Sequence, residues 1–265
     1  MFANLKKLIR FRGLIVSLVA RELKARYRGS VLGFLWSFIN PLLLLLIYSF
    51  VFTTVIKNET QGVQPYALFM FCGILPWNWF STSLSDAAGS LISGGNLIKK
   101  VLFPAEVLPL VSVLTNMVHF FLGLPILIAF LLIYRHYPNP VSLLWFPVVV
   151  LVQLVFTSAL ALIVSALAVH FRDIRDILAN LLTLWFFATP IIYPWFQPSV
   201  KQFHVFFDIN PFTHLAVTYQ EILFFHDGPV AHWKWLLALG AGSVLLFLAG
   251  FWLFDRLRDS FAEAV

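Results

Sequence analysis

Charged residues are scarce in this chain. They account for 11% of the 265 residues, whereas roughly a quarter of the residues in a soluble globular domain are charged. The hydrophobic fraction is 60%, and several separate apolar runs reach the ~20 residues that a helix needs to cross a bilayer. This composition excludes an ordinary soluble domain and predicts a polytopic membrane protein.

Cysteine is nearly absent, and the common catalytic motifs are missing. The single cysteine, Cys72, excludes an internal disulfide and any cysteine cluster for zinc or iron–sulfur ligation. The sequence has no HExxH, no GxSxG and no Cys/His cluster with metal-ligand spacing. The acidic and histidine residues near the C-terminal third show no specific spacing: Asp208, His214, Glu221, His226 and Asp227. We therefore expect no catalytic site, no bound metal and no cofactor.

A phosphate-binding loop is also missing. No GxxxxGK[ST] segment occurs anywhere in the chain. Such a loop would cradle the phosphates of ATP with its backbone amides. If this protein uses ATP, we expect ATP and magnesium to be bound by a separate subunit.

Ionisable groups within the apolar runs are few. The clearest are Asp86 and His119. A proton- or sodium-driven carrier usually has more of them, often with paired broken helices. Asp86 also fits a helix-packing or near-interface carboxylate, and His119 fits an interhelical hydrogen bond. A secondary transporter is therefore the less favoured class.

The apolar runs predict six membrane helices in an all-α fold. Their approximate ranges are 31–56, 66–92, 107–133, 142–170, 177–195 and 235–254. With the N-terminus inside, 14 of the 18 Lys and Arg residues fall on the cytoplasmic side, as the positive-inside rule requires. Both termini are then cytoplasmic, and the N-terminus is expected to be retained. Residues 196–230 are interrupted by Asp208, Asn210, Pro211 and His214, which favours two short re-entrant or capping helices on the outer side.

Positive charge is concentrated at the N-terminus, in a helical pattern. A polar stripe recurs every three or four positions: Lys6, Arg10, Gly13, Ser17, Arg21, Lys24 and Arg28. The pattern predicts that residues 1–29 form a cytoplasmic amphipathic interface helix, separate from a transmembrane domain at 30–265. Gly29 then permits the turn into the first span. The stripe fits a protein-docking role, although topology and anionic lipid would also account for its charge.

Aromatic residues are abundant, with 29 Phe, 9 Trp and 7 Tyr. Many membrane proteins place Trp and Tyr in an interfacial belt. Flat aromatic faces also stack on sugar rings, and many weak contacts of this kind suit a polymer that must slide. We therefore assign a candidate substrate path to seven residues: Tyr48, Trp77, Trp79, Phe80, Trp185, Tyr193 and Trp195.

Six segments in order carry a resemblance to a known family. They are "ARYRGSVLGFLWSFINPLL", "GILPWNWF", "NLIKKVLFPAEVLPL", "FRDIRDI", "ATPIIYP" and "NPFTHL". Together they cover nearly the whole chain and resemble the transmembrane subunit of bacterial polysaccharide ABC exporters, the Wzm type that moves lipid-linked O-antigen. Permeases for capsule and teichoic acid export are similar.

The resemblance implies the partners and the docking residues. Such subunits act as homodimers with two copies of a separate ABC ATPase, and they sit in the bacterial cytoplasmic membrane in contact with lipid and lipid-linked polysaccharide. No nucleic acid is involved. The ATPase would contact Arg21, Lys24, Arg26, Arg28, Asn96, Lys99, Lys100, Glu106, Arg172 and Asp173. The loop at 94–106 and the "RDIRD" segment could also be a charged turn and a capped helix end.

The expected function is the permease half of an ATP-driven exporter of O-antigen-type polysaccharide. Within this class, teichoic acid and capsular polysaccharide are the alternative cargoes. A membrane enzyme that acts on polyprenyl-linked sugar is a more distant alternative, disfavoured because no convergent catalytic groups are evident.

Overall fold

The computed structural model describes residues 11–55, 63–98, 104–171, 173–225 and 230–264. Several residues named above lie outside these ranges: Lys6, Arg10, Lys99, Lys100, Arg172, His226 and Asp227. Every regular element in the described ranges is helical, which confirms the all-α prediction.

Twelve α-helices are numbered here in chain order. They are α1 Arg12–Tyr27, α2 Trp36–Phe50, α3 Tyr66–Ser93, α4 Gly95–Ile98, α5 Val107–Ile133, α6 Pro140–Leu143, α7 Phe146–His170, α8 Ile174–Phe187, α9 Pro198–Lys201, α10 His204–Ile209, α11 Pro211–Leu223 and α12 Trp233–Ala264. A 3₁₀ turn, Gly33–Leu35, precedes α2, and a π-helical turn, Val51–Val55, follows it.

Four helical segments in the described ranges are long and apolar enough to cross a membrane: Gly33–Phe50, Val107–Ile133, Pro140–His170 and Trp233–Arg258. Helix α3 has 28 residues, about 42 Å at 1.5 Å per residue, but polar side chains occupy much of its second half. Helix α8 has 14 residues, about 21 Å, which is shorter than a bilayer core. A multi-pass membrane protein follows from these lengths, and the count of six spans stays a prediction.

The fifth predicted span ends earlier than expected. Helix α8 stops at Phe187, whereas the apolar run suggested helix to residue 195. Pro190 cannot donate a backbone hydrogen bond and disfavours helical geometry at the residue before it. The Asn210 amide donates to the Ala188 carbonyl at 3.0 Å, and the Gln220 amide donates to the Pro190 carbonyl at 3.1 Å. Side chains from later in the chain thus satisfy carbonyls that the interrupted helix leaves open.

The core is built around α3. Its buried residues run from Tyr66 to Leu91, and it packs against α5, α7, α8 and α11. Helix α12 lies along α7, where a Cβ on Gly250 would be only 2.9 Å from the Ala159 carbonyl oxygen. Only glycine allows so close an approach between these helix backbones.

The described residues of the predicted outer segment form three helices, rather than the two expected. Helix α10 carries exposed apolar residues, Val205, Phe206 and Ile209, whereas α11 is almost entirely buried. The Asn210 side chain accepts from the Phe212 backbone N–H at 3.1 Å, and Pro211 occupies the first helical position. This is a standard helix start for Asn followed by Pro.

Helix α1 packs on the start of α5. Leu18 is buried against Val107 and Val111 of α5, and Leu14, Ile15 and Val19 pack around it. Within the described residues, the polar stripe of α1 is exposed. Gly29 has a φ of +78°, so the predicted turn after this helix uses the backbone freedom of glycine.

Candidate functional site

Three helices are joined by a charged network next to α1. Arg26 on α1 donates to Asp86 on α3 at 2.7 Å and to the Asn116 carbonyl oxygen on α5 at 3.2 Å. The Asn116 amide donates to the same Asp86 oxygen at 2.8 Å. Because the Arg26 and Asp86 side chains are 34% and 36% exposed, solvent screens the pair. The network orients α1 relative to α3 and α5. Its contribution to the free energy of unfolding is small, because solvent reaches both charged groups.

A cavity of about 530 Å³, lined by both apolar and polar side chains, lies where α1 turns into α2. Ser37 donates to the Tyr27 hydroxyl at 2.6 Å, and this hydroxyl lies 3.3 Å from Nδ1 of His119. Asn40, Asn78 and Thr82 add neutral polar groups to the lining. His119 therefore takes part in an interhelical polar contact, as one reading of the sequence suggested.

A second cavity, here called the aromatic groove, lies between α2, α3 and α8. Its volume is about 400 Å³, and its lining combines rings with small polar groups: Tyr48, Trp77, Phe186, Asn78, Ser81 and Thr183. Two predicted path residues, Tyr48 and Trp77, face this groove. Rings that stack and hydroxyls that exchange hydrogen bonds suit a neutral, hydroxyl-rich ligand such as a glycan.

A third cavity, here called the basic chamber, lies between α1, α3, α5 and the start of α8. Its volume is about 820 Å³. Three guanidinium groups line it, from Arg21, Arg26 and Arg175, together with the carboxylates of Glu22 and Asp86. It lies next to the aromatic groove, since Ser85 lines both.

One face of α3 links the basic chamber and the aromatic groove. Asn78, Ser81, Ser85, Gly89 and Ser93 recur at intervals of three or four residues, so they lie on one side of the helix. The sequence interpretation did not assign these residues to a site. Their helical spacing in an otherwise apolar run was a usable signal, because polar residues in membrane helices tend to face protein or water.

The other predicted path residues are divided among different parts of the molecule. Phe80 and Trp185 join Trp77 in one aromatic cluster, in which Phe212 lies 4.8 Å from both Trp77 and Phe80. Trp79 points to the opposite side of α3, stacks on Phe120 and donates to the Val113 carbonyl at 3.1 Å.

Tyr193 and Trp195 belong to the irregular segment after α8. The Tyr193 hydroxyl donates to the Phe187 carbonyl at 2.9 Å, and the Trp195 ring lies 5.0 Å from His232. Of the seven predicted residues, only Tyr48 and Trp77 line the aromatic groove.

The predicted docking residues are also divided. Arg21, Lys24, Arg28, Asn96 and Asp173 are exposed. Arg26 makes the bond to Asp86 already described. Glu106 is buried and lies 3.8 Å from Arg258 on α12, so its carboxylate faces another helix of the same chain.

A cluster of ionisable groups lies at the opposite end, on α11 and the start of α12. His232 contacts Glu221 at 2.9 Å through Nδ1, and His214 stacks on Trp235 with ring centroids 4.8 Å apart. Burial lowers the pKa of His214 below its ordinary value, and the neighbouring His232 adds to this effect. The Asp208 carbonyl, 3.0 Å from Nε2, and the Asp208 charge act in the opposite direction. The neutral form of His214 is therefore favoured.

The sequence of this chain is similar to those of known membrane transport proteins. The sequence model of the family described as ABC-2 type transporter matches residues 13–224. The chain is 45% identical to the O-antigen export system permease protein RfbA of Myxococcus xanthus over the full length of both chains. It is 34% identical to the protein of the same name from Klebsiella pneumoniae, over 94% of each chain.

Proposed function

We propose, because the chain belongs to the ABC-2 type transporter family, that it is the permease subunit of an ATP-driven exporter of O-antigen-type polysaccharide. The observation that carries the proposal is the full-length similarity to a permease named for O-antigen export. The aromatic groove supports it, since rings and small polar groups suit a neutral glycan.

A separate ATPase supplies the energy in this proposal. The sequence contains no phosphate-binding loop, and the relatives are named as permeases of an export system. In this proposal the ATPase docks on the exposed basic residues of α1, which are Arg21, Lys24 and Arg28. The exposed Asn96 and Asp173 belong to the same proposed docking surface. The bond between Arg26 and Asp86 connects this surface to α3, which also lines the groove. A movement of α1 would therefore be transmitted by α3 to the aromatic groove.

The proposed topology has six spans with both termini in the cytoplasm of a bacterial cell, in its cytoplasmic membrane. The distribution of Lys and Arg supports this orientation. Two copies then form the translocation path, with the aromatic groove of each facing the shared interface. Asp86 is held by Arg26 and Asn116, which disfavours a role as the free proton-binding carboxylate of a secondary transporter.

Complementation tests the proposal. A bacterial host that makes lipid-linked O-polysaccharide but lacks its own exporter receives this chain, with or without a candidate ABC ATPase subunit from the same source organism. We expect surface O-antigen only when both chains are present, and none when the ATPase carries a replaced phosphate-loop lysine. Export by this chain alone, or with the inactive ATPase, would contradict the proposal.

Charge reversal tests the docking surface separately. The combined change Arg21→Glu, Lys24→Glu and Arg28→Glu is expected to abolish copurification with the ATPase while membrane insertion persists. The control is Arg12→Glu, an exposed change on the same helix outside the proposed surface. Unchanged copurification of the triple variant would remove α1 from the docking surface.

A further inference from the structure

The side chain of Asn210 joins the end of α8 to the start of α11. Its Oδ1 accepts from the indole Nε1–H of Trp185 at 2.7 Å and from the Phe212 backbone N–H at 3.1 Å. Its Nδ2 donates to the Ala188 carbonyl and to the Thr189 hydroxyl, both at 3.0 Å. An amide side chain can accept two hydrogen bonds and donate two, so Asn210, which is 8% exposed, uses its full capacity here.

The four partners match a short amide. The Trp185 indole and the Phe212 backbone N–H can only donate, and the Ala188 carbonyl can only accept. The Thr189 hydroxyl donates its own hydrogen to the Trp185 carbonyl at 2.8 Å, so it accepts from Asn210. An aspartate would present a carboxylate oxygen to the Ala188 carbonyl, and a serine would be too short to reach α8. The link between α8 and α11 therefore depends on asparagine at this position.

This network holds the last turn of α8. Trp185 is bonded at its indole and at its carbonyl, and both bonds lead to Asn210, one directly and one through Thr189. Helix α8 ends at Phe187, so the carbonyl groups that follow lack the donors of a continuing helix. A buried polar network in which every member is satisfied specifies one arrangement of its helices.

The rings next to Asn210 support one wall of the aromatic groove. Trp77 lines the groove, and its ring centroid lies 4.8 Å from that of Phe212 on α11. On α8, the ring centroids of Trp185 and Phe186 lie 6.4 Å and 5.6 Å from that of Trp77. Phe186 lines the groove as well. Trp77 is thus packed between the two helices that Asn210 joins, so a change in their spacing would move the rings of the groove.

We infer that Asn210 is a positioning residue of the aromatic groove. It is not part of the lining and acts through Trp185 and Phe212, which set the position of Trp77 and hence the shape of the groove. The inference rests on the proposed function, because the groove is the proposed path of the glycan. It gives α11, which lies outside the groove, a part in determining what the groove accepts.

A second Asn-Pro helix start supplies matched variants. Asn139 precedes Pro140 of α6 and accepts from the Val141 backbone N–H at 2.9 Å. Among the described residues, the Asn139 side chain makes no bond to another helix. Serine is as good an N-cap as asparagine, so Asn210→Ser keeps the start of α11 and removes the bonds to α8. Asn139→Ser is the same exchange without such bonds to lose.

Fluorine NMR of the purified full-length chain in nanodiscs, without any ATPase, tests the positioning. The nine tryptophans are replaced by fluorotryptophan, and Trp77→Phe and Trp185→Phe assign the two resonances of interest. In Asn210→Ser both should shift, Trp185 because its indole bond is lost and Trp77 because its neighbouring rings move. Both should keep their parental positions in Asn139→Ser. An unmoved Trp77 resonance in Asn210→Ser would overturn the inference, and so would an equal shift in Asn139→Ser.

Export measurements separate positioning from stability. Trp185→Phe keeps a ring in the aromatic cluster and loses only the bond to Asn210, so it also serves if Asn210→Ser folds poorly. In complex with the ATPase, both variants should hydrolyse ATP at the parental rate and export polysaccharide about fivefold more slowly, the rate change that matches about one lost hydrogen bond.

The stability control is Leu162→Ala, a change at a fully buried position on α7 outside the groove. It should lower the melting temperature by loss of packing and export within about twofold of the parent. Parental export by both Asn210→Ser and Trp185→Phe would overturn the inference. An equal loss of export in Leu162→Ala would overturn it as well, because export would then follow stability alone.

The outcome is separable from that of the proposed function. If the parent chain restores export and Asn210→Ser and Trp185→Phe export equally well, the positioning role is rejected and the function stands. If the parent chain does not restore export but the Trp77 resonance shifts in Asn210→Ser and not in Asn139→Ser, the function is rejected and Asn210 still positions Trp77.

Discussion

At the residue scale, Arg26 and Asp86 are 60 positions apart in the chain and 2.7 Å apart in the structure. Sequence reasoning gave them separate roles, as a docking cation and an intramembrane acid. Their contact means that each is the principal partner of the other, with Asn116 completing the network. The pair joins the N-terminal helix to the helix that lines the groove.

A double-mutant cycle measures this contact. Arg26→Gln and Asp86→Asn should each lower the thermal stability of the purified chain, and the double variant should be less destabilised than their sum. The coupling free energy should be up to about 1 kcal/mol, because both side chains are partly exposed. Additive changes in the melting temperature would show that the two groups do not interact.

The stability of the folded chain is expected to depend on pH through His214. Its pKa in the folded chain is lowered by burial, whereas in the unfolded chain it is about 6.5. The unfolded state therefore binds more protons as pH falls below about 6.5, so stability from this residue is present above that pH and is lost below it. The charged and titratable groups near it are His232, Asp208 and Glu221.

The measurement is the melting temperature from pH 7.5 to pH 5. It should fall on acidification in the parent chain and fall less steeply in His214→Gln. The control is His204→Gln on α10, an exposed histidine, which should follow the parent curve. Parallel curves for the parent and His214→Gln would contradict the assignment.

At the element scale, α1 depends on a small apolar contact. Leu18 is 6% exposed and packs on Val107 and Val111 of α5, whereas Val16 on the same helix is 68% exposed. Leu18→Ala should destabilise the chain by about 2 kcal/mol, the lower end of the range for buried leucine, because the contact lies at the edge of the core. Val16→Ala should be near neutral.

Limited trypsin digestion gives a second measurement for α1. Cleavage at the basic residues of α1 should be faster in Leu18→Ala, since the helix detaches more often from α5. Equal cleavage rates and equal melting temperatures for Leu18→Ala and Val16→Ala would show that this packing does not hold α1.

The polar face of α3 is the second element with a direct test. Ser81→Leu should fill the aromatic groove and slow polysaccharide export, while ATP hydrolysis by the assembled complex continues. Ser81→Ala is the matched control, because it removes the hydroxyl but leaves the space open. Parental export rates in Ser81→Leu would exclude the groove from the path.

At the scale of the whole molecule, one apolar surface is left uncovered by the part of the chain that the structure describes. Ile177, Leu181, Leu184 and Phe187 of α8 are each at least 50% exposed and lie on one face of the helix. Leu43, Leu46, Ile47 and Phe50 of α2 are exposed as well. Lipid would accept such a surface, and so would the second copy that the proposed function requires.

Cysteine cross-linking distinguishes these two possibilities. The native Cys72 is fully buried, so an introduced cysteine provides the reactive thiol. Leu181→Cys should form a disulfide-linked dimer on oxidation in membranes, and Val141→Cys, an exposed site on α6, should not. Equal cross-linking at the two positions would place the dimer interface elsewhere.

The sequence predicted the fold class well because its signals were local. Long apolar runs, few charges and missing catalytic motifs identify a helical membrane protein without any tertiary information. The family resemblance was confirmed by the match over residues 13–224. The end of α8 was predicted less well, since the apolar run continues past Phe187 while Pro190 and the Asn210 amide end the helix.

The site was harder to predict because it depends on which faces of the helices meet. Aromatic content indicated a path, but only the packing of α2, α3 and α8 separates Tyr48 and Trp77, which line the groove, from Trp79, which packs on Phe120. Charge patterning located Arg21 and Arg26 near the membrane, and only the fold places Arg175 over Gly89 beside them. Composition and periodicity are properties of a segment and so determined the helices. Contacts between segments remote in the chain require the tertiary structure, which alone decided where a groove and a chamber form.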